Sequence, residues 1–351
     1  MSRDTVGVVI AAMNSAAFID QALGSLAMQT TPADQVVVVD DHSDDDTVRL
    51  IERWRAILPL TLLRNHGPRR LGVWGARRAA IEVLETDLVL QLDGDDLVLP
   101  HHVAAMSEAY AASPGLISPR PLTWTGQGPF RPATYTKGGL PLPGDQLIQL
   151  LAQNYVVVGS LFARELYERV GGYRKVAYGE EWDLWLRLVA AGARVSKPAE
   201  PSYVYRVRAS SYAGGFARNE AETEVLKRFL EDAERPVHRR AVKVALLQRT
   251  GLAALGSLTP VSGPLPEPVR AFAADQERPL TRAYHDPDLG WVLSFDSGSG
   301  NSGAEVAVVD DAARVIVHVA EKDGNYEAVE IADPLMRRDA SSLRDILRGE
   351  I

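Results

Sequence analysis

Three carboxylates fall within four residues at Asp93, Gly94, Asp95 and Asp96, directly after the predominantly apolar segment 87–92. Two aspartates that are two positions apart in a turn can offer oxygens to one hard divalent cation, such as Mg²⁺ or Mn²⁺, and leave positions for diphosphate oxygens. The segment lacks the later acidic ligands and the distal Glu of a calcium loop. A polar turn that caps the next helix uses the same residue types, so the segment alone leaves both interpretations open.

A second acidic pair, Asp40 and Asp41, ends the apolar run 36–39. Ser43 or Asp44 could cap the helix that follows, but capping does not account for two carboxylates placed before the cap. A carboxylate in this position could instead accept a hydrogen bond from the imide N–H of a nucleobase or from a ribose hydroxyl. The functional interpretation of the pair is therefore nucleotide binding.

The elements that position these clusters alternate between strand and helix. Hydrophobic periodicity predicts strands over 6–12, 36–39, 60–64 and 87–92, and helices over 17–28, 47–54 and 74–84. This βαβαβαβ order predicts a parallel sheet with helices on both faces. Open sheets of this kind bind ligands at the carboxyl ends of their strands, and both acidic clusters fall at such ends.

The pattern loosens after the fourth strand and defines two further regions. Helices are predicted over 101–112, 147–151 and 181–191, and strands over 155–162 and 201–207, with a long loop over 118–145. Helical patterns then cover 217–233, 236–255 and 266–284, and short strands cover 291–295, 304–309, 315–319 and 326–331, before a helix at 341–347. We predict an α/β domain over 1–215, a helical extension over 216–288 and a small β-rich domain over 289–351.

The composition is that of a globular chain, and it excludes several classes of function. With 351 residues, 46% hydrophobic and 24% charged, the chain is long enough for one large domain and an appendage, or for two domains. A net charge of −8 argues against a nucleic-acid partner, and the absence of cysteine excludes disulfides and thiolate chemistry. No segment has the features of a secretory signal or a membrane span, so we expect a cytoplasmic protein, with peripheral membrane attachment left open.

Five segments, in order, resemble the motifs of the inverting, metal-dependent GT-A glycosyltransferases called family 2. They are VGVVIAAMNSAAFIDQALGSLAMQT, VVVVDDHSDDDT, LGVWGARRAAIE, LVLQLDGDDLVLP and GEEWDLWLRLVAAG, within about residues 5–212. Five ordered motifs are specific, whereas any one of them would be weak. The resemblance implies a GT-A fold, which has a Rossmann-like, mainly parallel central sheet with helices on both faces. The helical linker and the small β-rich C-terminal appendage follow this domain.

The resemblance implies a binding site for the nucleotide-diphosphate sugar donor. Ala11 and Met13 would lie against the nucleobase. Asp41 would accept a hydrogen bond from the base, and Asp40 would support that loop. Arg77 would face the nucleotide or the diphosphate.

The resemblance also implies a metal site and a general base. Asp93 would reach the ribose or the metal, and Asp95 would be the principal ligand of Mn²⁺ or Mg²⁺. Glu181 stands where the family has the Asp that removes the proton of the acceptor hydroxyl. Asp183 is the rival base, but a rotation of about 100° per residue prevents both from facing one cleft from a regular helix. The implied mechanism is a single displacement with inversion.

Two later segments are predicted to complete the site. Arg206 and Arg208 lie in an element where the family often has His at the second position, and an arginine there could grip diphosphate but could not ligate a metal. Trp124, in the long loop, is predicted to contact the acceptor, because aromatic faces suit sugar rings. The acceptor itself, whether a glycan, a lipid-linked glycan, a natural product or a peptide, is left open by the sequence.

Alternatives to a glycosyltransferase remain at this point. A catalytically inactive nucleotide-sugar-binding protein is favoured by Glu181 in place of Asp and by Arg208 in place of His. A sugar-nucleotide nucleotidyltransferase is disfavoured, because such enzymes usually have a Gly-rich, basic loop after the first strand. A basic helical segment could dock on an anionic membrane, on a partner or on a second copy, or it could pack on its own domain. Its basic residues are Arg239, Arg240, Lys243 and Arg249.

Overall fold

The structure is a computed structural model in which the chain divides into two units. The first comprises Met1–Pro141 and Asn154–Phe216, and the second comprises Leu142–Gln153 and Ala217–Ile351. The residues described are 3–133, 144–208, 218–250, 258, 260–276, 279–295, 302–310, 315–322 and 325–331. The division after Phe216 lies beside the domain boundary predicted after residue 215.

The described residues form strands and helices with the following bounds. The strands are β1 (Val6–Ala12), β2 (Gln35–Asp40), β3 (Leu60–Arg64), β4 (Leu88–Gln91), β5 (Leu97–Val98), β6 (Leu116–Ile117), β7 (Arg120–Trp124), β8 (Arg131–Pro132), β9 (Leu161–Ala163), β10 (Val195–Ser196), β11 (Pro201–Arg206), β12 (Leu280–Asp286), β13 (Gly290–Phe295), β14 (Ser302–Val309), β15 (Val315–Lys322) and β16 (Asn325–Ile331). The helices are α1 (Ile19–Ala27), α2 (Thr47–Glu52), α3 (Gly72–Glu82), α4 (His102–Ala112), α5 (Gln146–Ala152), α6 (Arg164–Arg169), α7 (Glu180–Ala190), α8 (Arg218–Asp232), α9 (Pro236–Thr250) and α10 (Glu267–Ala274).

The main sheet of the first unit has seven strands in the order β10-β6-β9-β4-β1-β2-β3. The four predicted strands, β1 to β4, run parallel to one another, as the alternating pattern requires. Strand β9 runs antiparallel to both β4 and β6, so the sheet is mainly rather than wholly parallel. The register pairs Ala12 with Asp40, and Asp40 with Arg64, which places the carboxyl ends of β1, β2 and β3 at one level.

Helices cover both faces of this sheet, because its central strands are apolar on both sides. On one face Val8 and Val36 pack with Ile19 and Leu23 of α1 and Ile51 of α2. Burial of each such side chain stabilises the fold by about 1.5–3 kcal/mol. Helix α3 packs on β1 and β2 through small buried residues, and this brings the motif that contains Arg77 close to the strand ends. The predicted mainly parallel sheet with helices on both faces is confirmed.

Two predictions within the first unit were wrong. The loop predicted over 118–145 contains β7 and β8, which form a second sheet in the order β5-β11-β7-β8. Its main partner, β11, lies far along the chain, so local composition did not reveal the pairing. The strand predicted over 155–162 is limited to β9, because Gly159 has φ +90° and lies too close to the ring of Tyr203 for any side chain.

The second unit contains helices α5, α8, α9 and α10 and a five-stranded antiparallel sheet, ordered β12 to β16 in sequence. Alternate residues Trp291, Leu293 and Phe295 of β13 pack with Val269 and Ala273 of α10. The helix predicted over 266–284 was wrong: it ends at α10, and the segment after Pro279 is strand β12. Proline cannot continue a helix, and the backbone groups of β12 pair instead with β13.

The division predicted between residues 288 and 289 falls inside the β12–β13 hairpin, so β12 belongs with the C-terminal sheet rather than with a helical extension. The helix predicted over 341–347 lies outside the described residues. No helix in the described part of the chain is long and apolar enough to cross a membrane.

The basic segment predicted as a docking surface forms α9, and its charges pair within the second unit. Lys243 Nζ lies 2.7 Å from Asp286 and 2.6 Å from Asp288, and Arg239 lies 3.1 Å from Asp288. Arg240 donates to the main-chain oxygen of Asp288, and Arg249 lies 3.4 Å from Glu222. The alternative in which this helix packs on its own domain therefore matches the contacts.

Candidate active site

The loops that follow β1 and β2 are joined by hydrogen bonds. Asn14, at φ 48°, donates its N–H to Ser43 Oγ at 2.9 Å and accepts the N–H of Asp44 at 2.9 Å. Ser15 N–H donates to Thr47 Oγ1 at 2.7 Å. These bonds hold the two strand ends together, so the predicted nucleobase residues of both loops lie at one edge of the sheet.

Asp41 fixes the segment that leads into α3. Its carboxylate accepts the side-chain N–H of Asn65 at 2.7 Å and the main-chain N–H groups of Leu71 and Gly72 at 2.9 Å. A carboxylate at a helix N-terminus is also favoured by the helix dipole. Asp41 was predicted to accept a hydrogen bond from the base, but protein donors already use both of its oxygens.

Asp40 differs from its neighbour. Its side chain is 2% exposed, and its Oδ1 makes no hydrogen bond to any described residue. A buried carboxylate oxygen without a donor is costly, and in native proteins such an atom calls for a partner. Ala11 lies half-buried at the end of β1, and Met13 is 45% exposed beyond it.

The turn after β4 gathers three carboxylates. Asp93, Asp95 and Asp96 each offer an oxygen within 4.8 Å of the others, which suits a hard divalent cation. Asp96 is buried and already accepts Tyr203 Oη at 2.5 Å and the N–H of Arg206 at 2.7 Å. Burial, and then the charges of Asp93 and Asp95, raise the pKa of Asp96 well above its usual value. Asp93 and Asp95 are therefore the two residues of the turn that could bind a metal.

Arg77 joins this turn to helix α7. Its side chain is 1% exposed, and it donates to Asp93 at 2.5 Å, to Glu181 at 2.6 Å and to Glu180 at 3.2 Å. Burial alone would lower the pKa of Arg77, but the charges of Glu181 and Asp93 outweigh it and raise that pKa. The guanidinium is therefore enclosed among three carboxylates.

The first turn of α7 carries two of these carboxylates. The helix begins at Glu180, after Gly179 at φ 78°. Burial and the adjacent charge of Glu181 raise the pKa of Glu180 to about 8, against the opposing effect of Arg77. Burial, opposed by Arg77, likewise raises the pKa of Asp93. Sequence reasoning singled out Glu181 in this turn and gave Glu180 no role, although both belong to one motif.

Asp183 lies on another side of the same helix. It is fully buried, and its carboxylate binds Arg174 at 2.5 Å and Arg187 at 2.6 Å. It shares no hydrogen bond with Arg77 among the described contacts. The rotation of about 100° per residue explains why positions 181 and 183 have different surroundings.

Arg206 is held in place beside the turn by four groups. It donates to the main-chain oxygen of Asp95 at 2.6 Å and to Gln21 Oε1 at 2.7 Å. Its guanidinium lies 4.7 Å from the centre of the Trp124 ring and 5.0 Å from that of Phe18. Sequence reasoning missed Phe18 and Gln21: helical periodicity assigned Phe18 to the apolar face of the first helix, and Gln21 was given no role.

Arg208 contacts the same turn through a salt bridge. Its guanidinium lies 2.6 Å from the Asp95 carboxylate and 5.4 Å from the centre of the Phe18 ring. Trp124, which was predicted to contact the acceptor, is half-buried and has the exposed ring of Phe130 at its edge. The structure thus brings Arg206, Arg208 and Trp124 together around the turn 93–96, which could bind a metal.

Part of the chain matches a family of known proteins. Residues 7–171 match the family described as glycosyl transferase family 2. The chain is 26% identical over 200 residues to the amylovoran biosynthesis glycosyltransferase AmsE of Erwinia amylovora, which covers 55% of this chain and 71% of AmsE.

Solved structures share the fold at low sequence identity. TarS 1-349 of S. aureus, in complex with UDP-GlcNAc, superposes with a TM-score of 0.57 and 20% identity, over 70% of this chain and 72% of that one. The mannosyltransferase PcManGT of Pyrobaculum calidifontis, in complex with GDP-Man and Mn²⁺, gives 0.54 and 22%, over 74% and 77%. Residues 7–171 of this chain thus carry a segment that matches glycosyl transferase family 2, and the fold is that of the GT-A glycosyltransferases.

Proposed function

We propose that the chain transfers a sugar from a nucleoside-diphosphate donor to an acceptor hydroxyl, with inversion at the anomeric carbon and with the help of Mn²⁺ or Mg²⁺. The observation that carries the proposal is the position of Arg77, whose guanidinium binds Asp93 of the metal-binding turn and Glu181 of α7 at once. Donor-side and acceptor-side carboxylates thus belong to one cluster. The ligands named for the solved relatives, UDP-GlcNAc and GDP-Man with Mn²⁺, support a nucleotide-sugar donor.

The nucleobase is proposed to bind at the ends of β1 and β2, beside Ala11 and Met13. Asp40 supplies the acceptor for a base N–H, because its Oδ1 is buried and unpaired among the described residues. Asp41 positions the segment before α3 instead, so the two aspartates exchange the roles first assigned to them.

The divalent cation is proposed to bind Asp93 and Asp95, whose hard oxygens fit it. When bound, it would offset the negative charge that develops on the diphosphate leaving group. Arg206, fixed against the main chain of Asp95, adds a positive charge at the same place. In this proposal Arg77 does not bind the diphosphate. Its guanidinium binds the Asp93 carboxylate and orients that carboxylate.

Glu181 is the proposed base. The acceptor oxygen forms a bond to the anomeric carbon while the bond to the diphosphate breaks, and Glu181 receives the proton of the acceptor hydroxyl. Asp183 is not proposed for this role, because two arginines already bind its carboxylate and its side chain is fully buried. Arg77 holds Glu181 in a fixed orientation through a bond of 2.6 Å.

The acceptor is proposed to pass along Trp124 and Phe130. Their rings meet edge to face at 5.7 Å, and Phe130 is 41% exposed. Exposed aromatic surface of this kind suits a sugar ring, such as one that carries the reacting hydroxyl. Arg206 covers one face of Trp124, so the acceptor would meet the edge of Trp124 and the ring of Phe130.

One observation favours an inactive binder as the second candidate. Arg208 binds the Asp95 carboxylate, the residue that a metal would need, and Glu181 replaces the family's Asp. Turnover of a nucleotide sugar, including slow hydrolysis to the nucleoside diphosphate, separates the two functions. An enzyme releases nucleotide at a rate that depends on Glu181, and a binder does not.

The test of the donor site is calorimetric titration with UDP, GDP and dTDP, each with Mn²⁺, with Mg²⁺ or with EDTA. One nucleotide should bind more tightly with metal than with EDTA, and Asp95→Asn should remove that difference. Asp46→Asn, in an exposed ion pair with Arg49, serves as the control for loss of one aspartate charge. Metal-assisted binding that survives Asp95→Asn would contradict the proposed metal site.

A further inference from the structure

Three arginines surround the metal-binding turn, and they are held to very different degrees. We propose that Arg208 forms a salt bridge with the Asp95 carboxylate when no donor is bound. When the cation and the donor bind, Arg208 would instead pair with the diphosphate of the donor. Cation and diphosphate would then bind cooperatively, and neither would bind tightly alone. This inference rests on the proposed function and adds an exchange of partners at its metal site.

Arg77 and Arg206 cannot make this exchange. Arg77 is 1% exposed and binds three carboxylates. Arg206 is 6% exposed and is fixed by a main-chain oxygen, by Gln21 and by two aromatic rings. Moving either guanidinium would leave several buried groups without partners, and each such group costs free energy.

Arg208 is held by much less. Its side chain is 36% exposed, and the Asp95 carboxylate is its only salt-bridge partner in the described part of the chain. Its Nε is buried without a hydrogen bond to any described residue. The Asp95 side chain is itself 22% exposed, so water and salt screen the pair and keep it weak. Arg208 is therefore the guanidinium that can move at least cost.

Arg208 lies 2.6 Å from Oδ2 of Asp95, so a cation that binds this oxygen must displace the guanidinium. A guanidinium has donors and no lone pair, so Arg208 competes with a cation for Asp95 and cannot join it as a ligand. The two positive charges would also repel each other. A diphosphate offers Arg208 several anionic oxygens, which match the fork of a guanidinium well. The diphosphate of the donor thus replaces Asp95 as the anionic partner of Arg208.

The exchange has a measurable thermodynamic consequence. If diphosphate releases Asp95 from Arg208, nucleoside diphosphate tightens cation binding, and the cation tightens nucleotide binding by the same factor. Removing the guanidinium gives the cation free access to Asp95 without nucleotide. We expect Arg208→Gln to bind Mn²⁺ alone about tenfold more tightly than the native chain does, within the usual range of such couplings.

The experiment measures free Mn²⁺ by electron paramagnetic resonance during titration of the native chain, of Arg208→Gln and of Arg49→Gln. Arg49 lies in an exposed ion pair with Asp46 and controls for the loss of one positive charge. Each titration is run alone and with UDP, and then with GDP. Arg208→Gln should raise Mn²⁺ affinity in the absence of nucleotide and should reduce the effect of nucleotide on it, while Arg49→Gln should match the native chain.

Equal or weaker Mn²⁺ binding by Arg208→Gln in the absence of nucleotide would overturn the inference. Arg208→Lys keeps the charge but loses the fork, so it should fall between the native chain and Arg208→Gln; it also keeps the test decisive if the Gln variant folds poorly. The proposed function fails in a different way. It fails if no nucleotide binds the native chain with any metal, whereas the comparison with Mn²⁺ alone still decides the role of Arg208.

Discussion

The two sides of helix α7 face ion clusters of opposite composition. On one side Arg77 is shared by Asp93, Glu180 and Glu181, so three carboxylates surround one guanidinium. On the other side Asp183 is shared by Arg174 and Arg187, so two guanidinium groups surround one carboxylate. The first cluster has an excess of acid that a cation or a proton could neutralise, whereas the second already has a partner for every oxygen of its carboxylate.

The difference separates reactive carboxylates from structural ones. In the acid-rich cluster, burial and the charge of Glu181 raise the pKa of Glu180, and burial raises the pKa of Asp93. Such perturbed groups are typical of functional sites, whereas a fully paired buried ion mainly holds elements together. Asp183 thus ties α7 to the segment before it, while Glu181, in the acid-rich cluster, is the proposed base. The predictions below test this division, from the largest expected effect to the smallest.

Glu181→Gln should affect turnover far more than stability. General-base assistance contributes 10²- to 10⁴-fold to typical rates, so we expect a loss of about 3–5 kcal/mol in the activation barrier. The amide can still accept from Arg77, so the free energy of unfolding should change by less than about 1 kcal/mol. Steady-state kinetics and urea unfolding measure the two quantities. Glu82→Gln, on the exposed part of α3, is the control. Full turnover in Glu181→Gln would show that Glu181 is not the base, and another carboxylate bound to Arg77 would then be the candidate.

Asp183→Asn should show the reverse pattern. Breaking a buried ion pair leaves charged arginines without their partner, which typically costs 3–5 kcal/mol. The asparagine amide oxygen can still accept one hydrogen bond from an arginine, which reduces this cost. We therefore expect the free energy of unfolding to fall by about 3 kcal/mol, with the remaining folded protein turning over at nearly the native rate. Urea unfolding with activity measured below the transition tests this. Asp46→Asn, which removes an exposed ion pair with Arg49, should leave the free energy of unfolding nearly unchanged. A stable but inactive Asp183→Asn would assign that residue to catalysis instead.

Much of the first unit followed from local sequence pattern, because its buried strands and amphipathic helices leave strong periodic signals. Strands β1 and β3 have the predicted bounds, and α3 differs from its prediction by two residues at each end. The β7–β8 hairpin and β12 were missed, since their identity depends on distant pairing partners rather than on periodicity.

The site was less predictable than the fold for a related physical reason. The motifs identified the carboxylates of the site, but the roles of these carboxylates depend on which arginines they bind. Several of these contacts join positions that are far apart in the sequence. Arg77 and Glu181 are 104 residues apart, and Arg206 and Asp95 are 111 apart. The i,i+4 spacing of Asp183 and Arg187 can be read from the local sequence, but the periodicity of α7 does not show that Arg174, which precedes the helix, also binds this carboxylate. Likewise, the sequence of α9 shows basic residues but not the acids of the β12–β13 hairpin that neutralise them.

Glu180→Gln gives the smallest expected effect and tests the acid excess itself. The pKa of Glu180 is raised from 4.5 to about 8. Between these two pH values, Glu180 is therefore protonated in the folded chain and ionised in the unfolded chain. The contribution of Glu180 to stability is therefore present at low pH and is lost as pH rises through this window. Glutamine removes the titration, so in EDTA the variant should unfold with a free energy that depends less on pH. At pH 8.5 it should be about 1–3 kcal/mol more stable, since each unit of pKa corresponds to about 1.4 kcal/mol and the cluster can relax. Glu82→Gln should keep the native pH dependence. If Glu180→Gln also keeps it, the Arg77 cluster has no acid excess, and the contrast between the two sides of α7 fails.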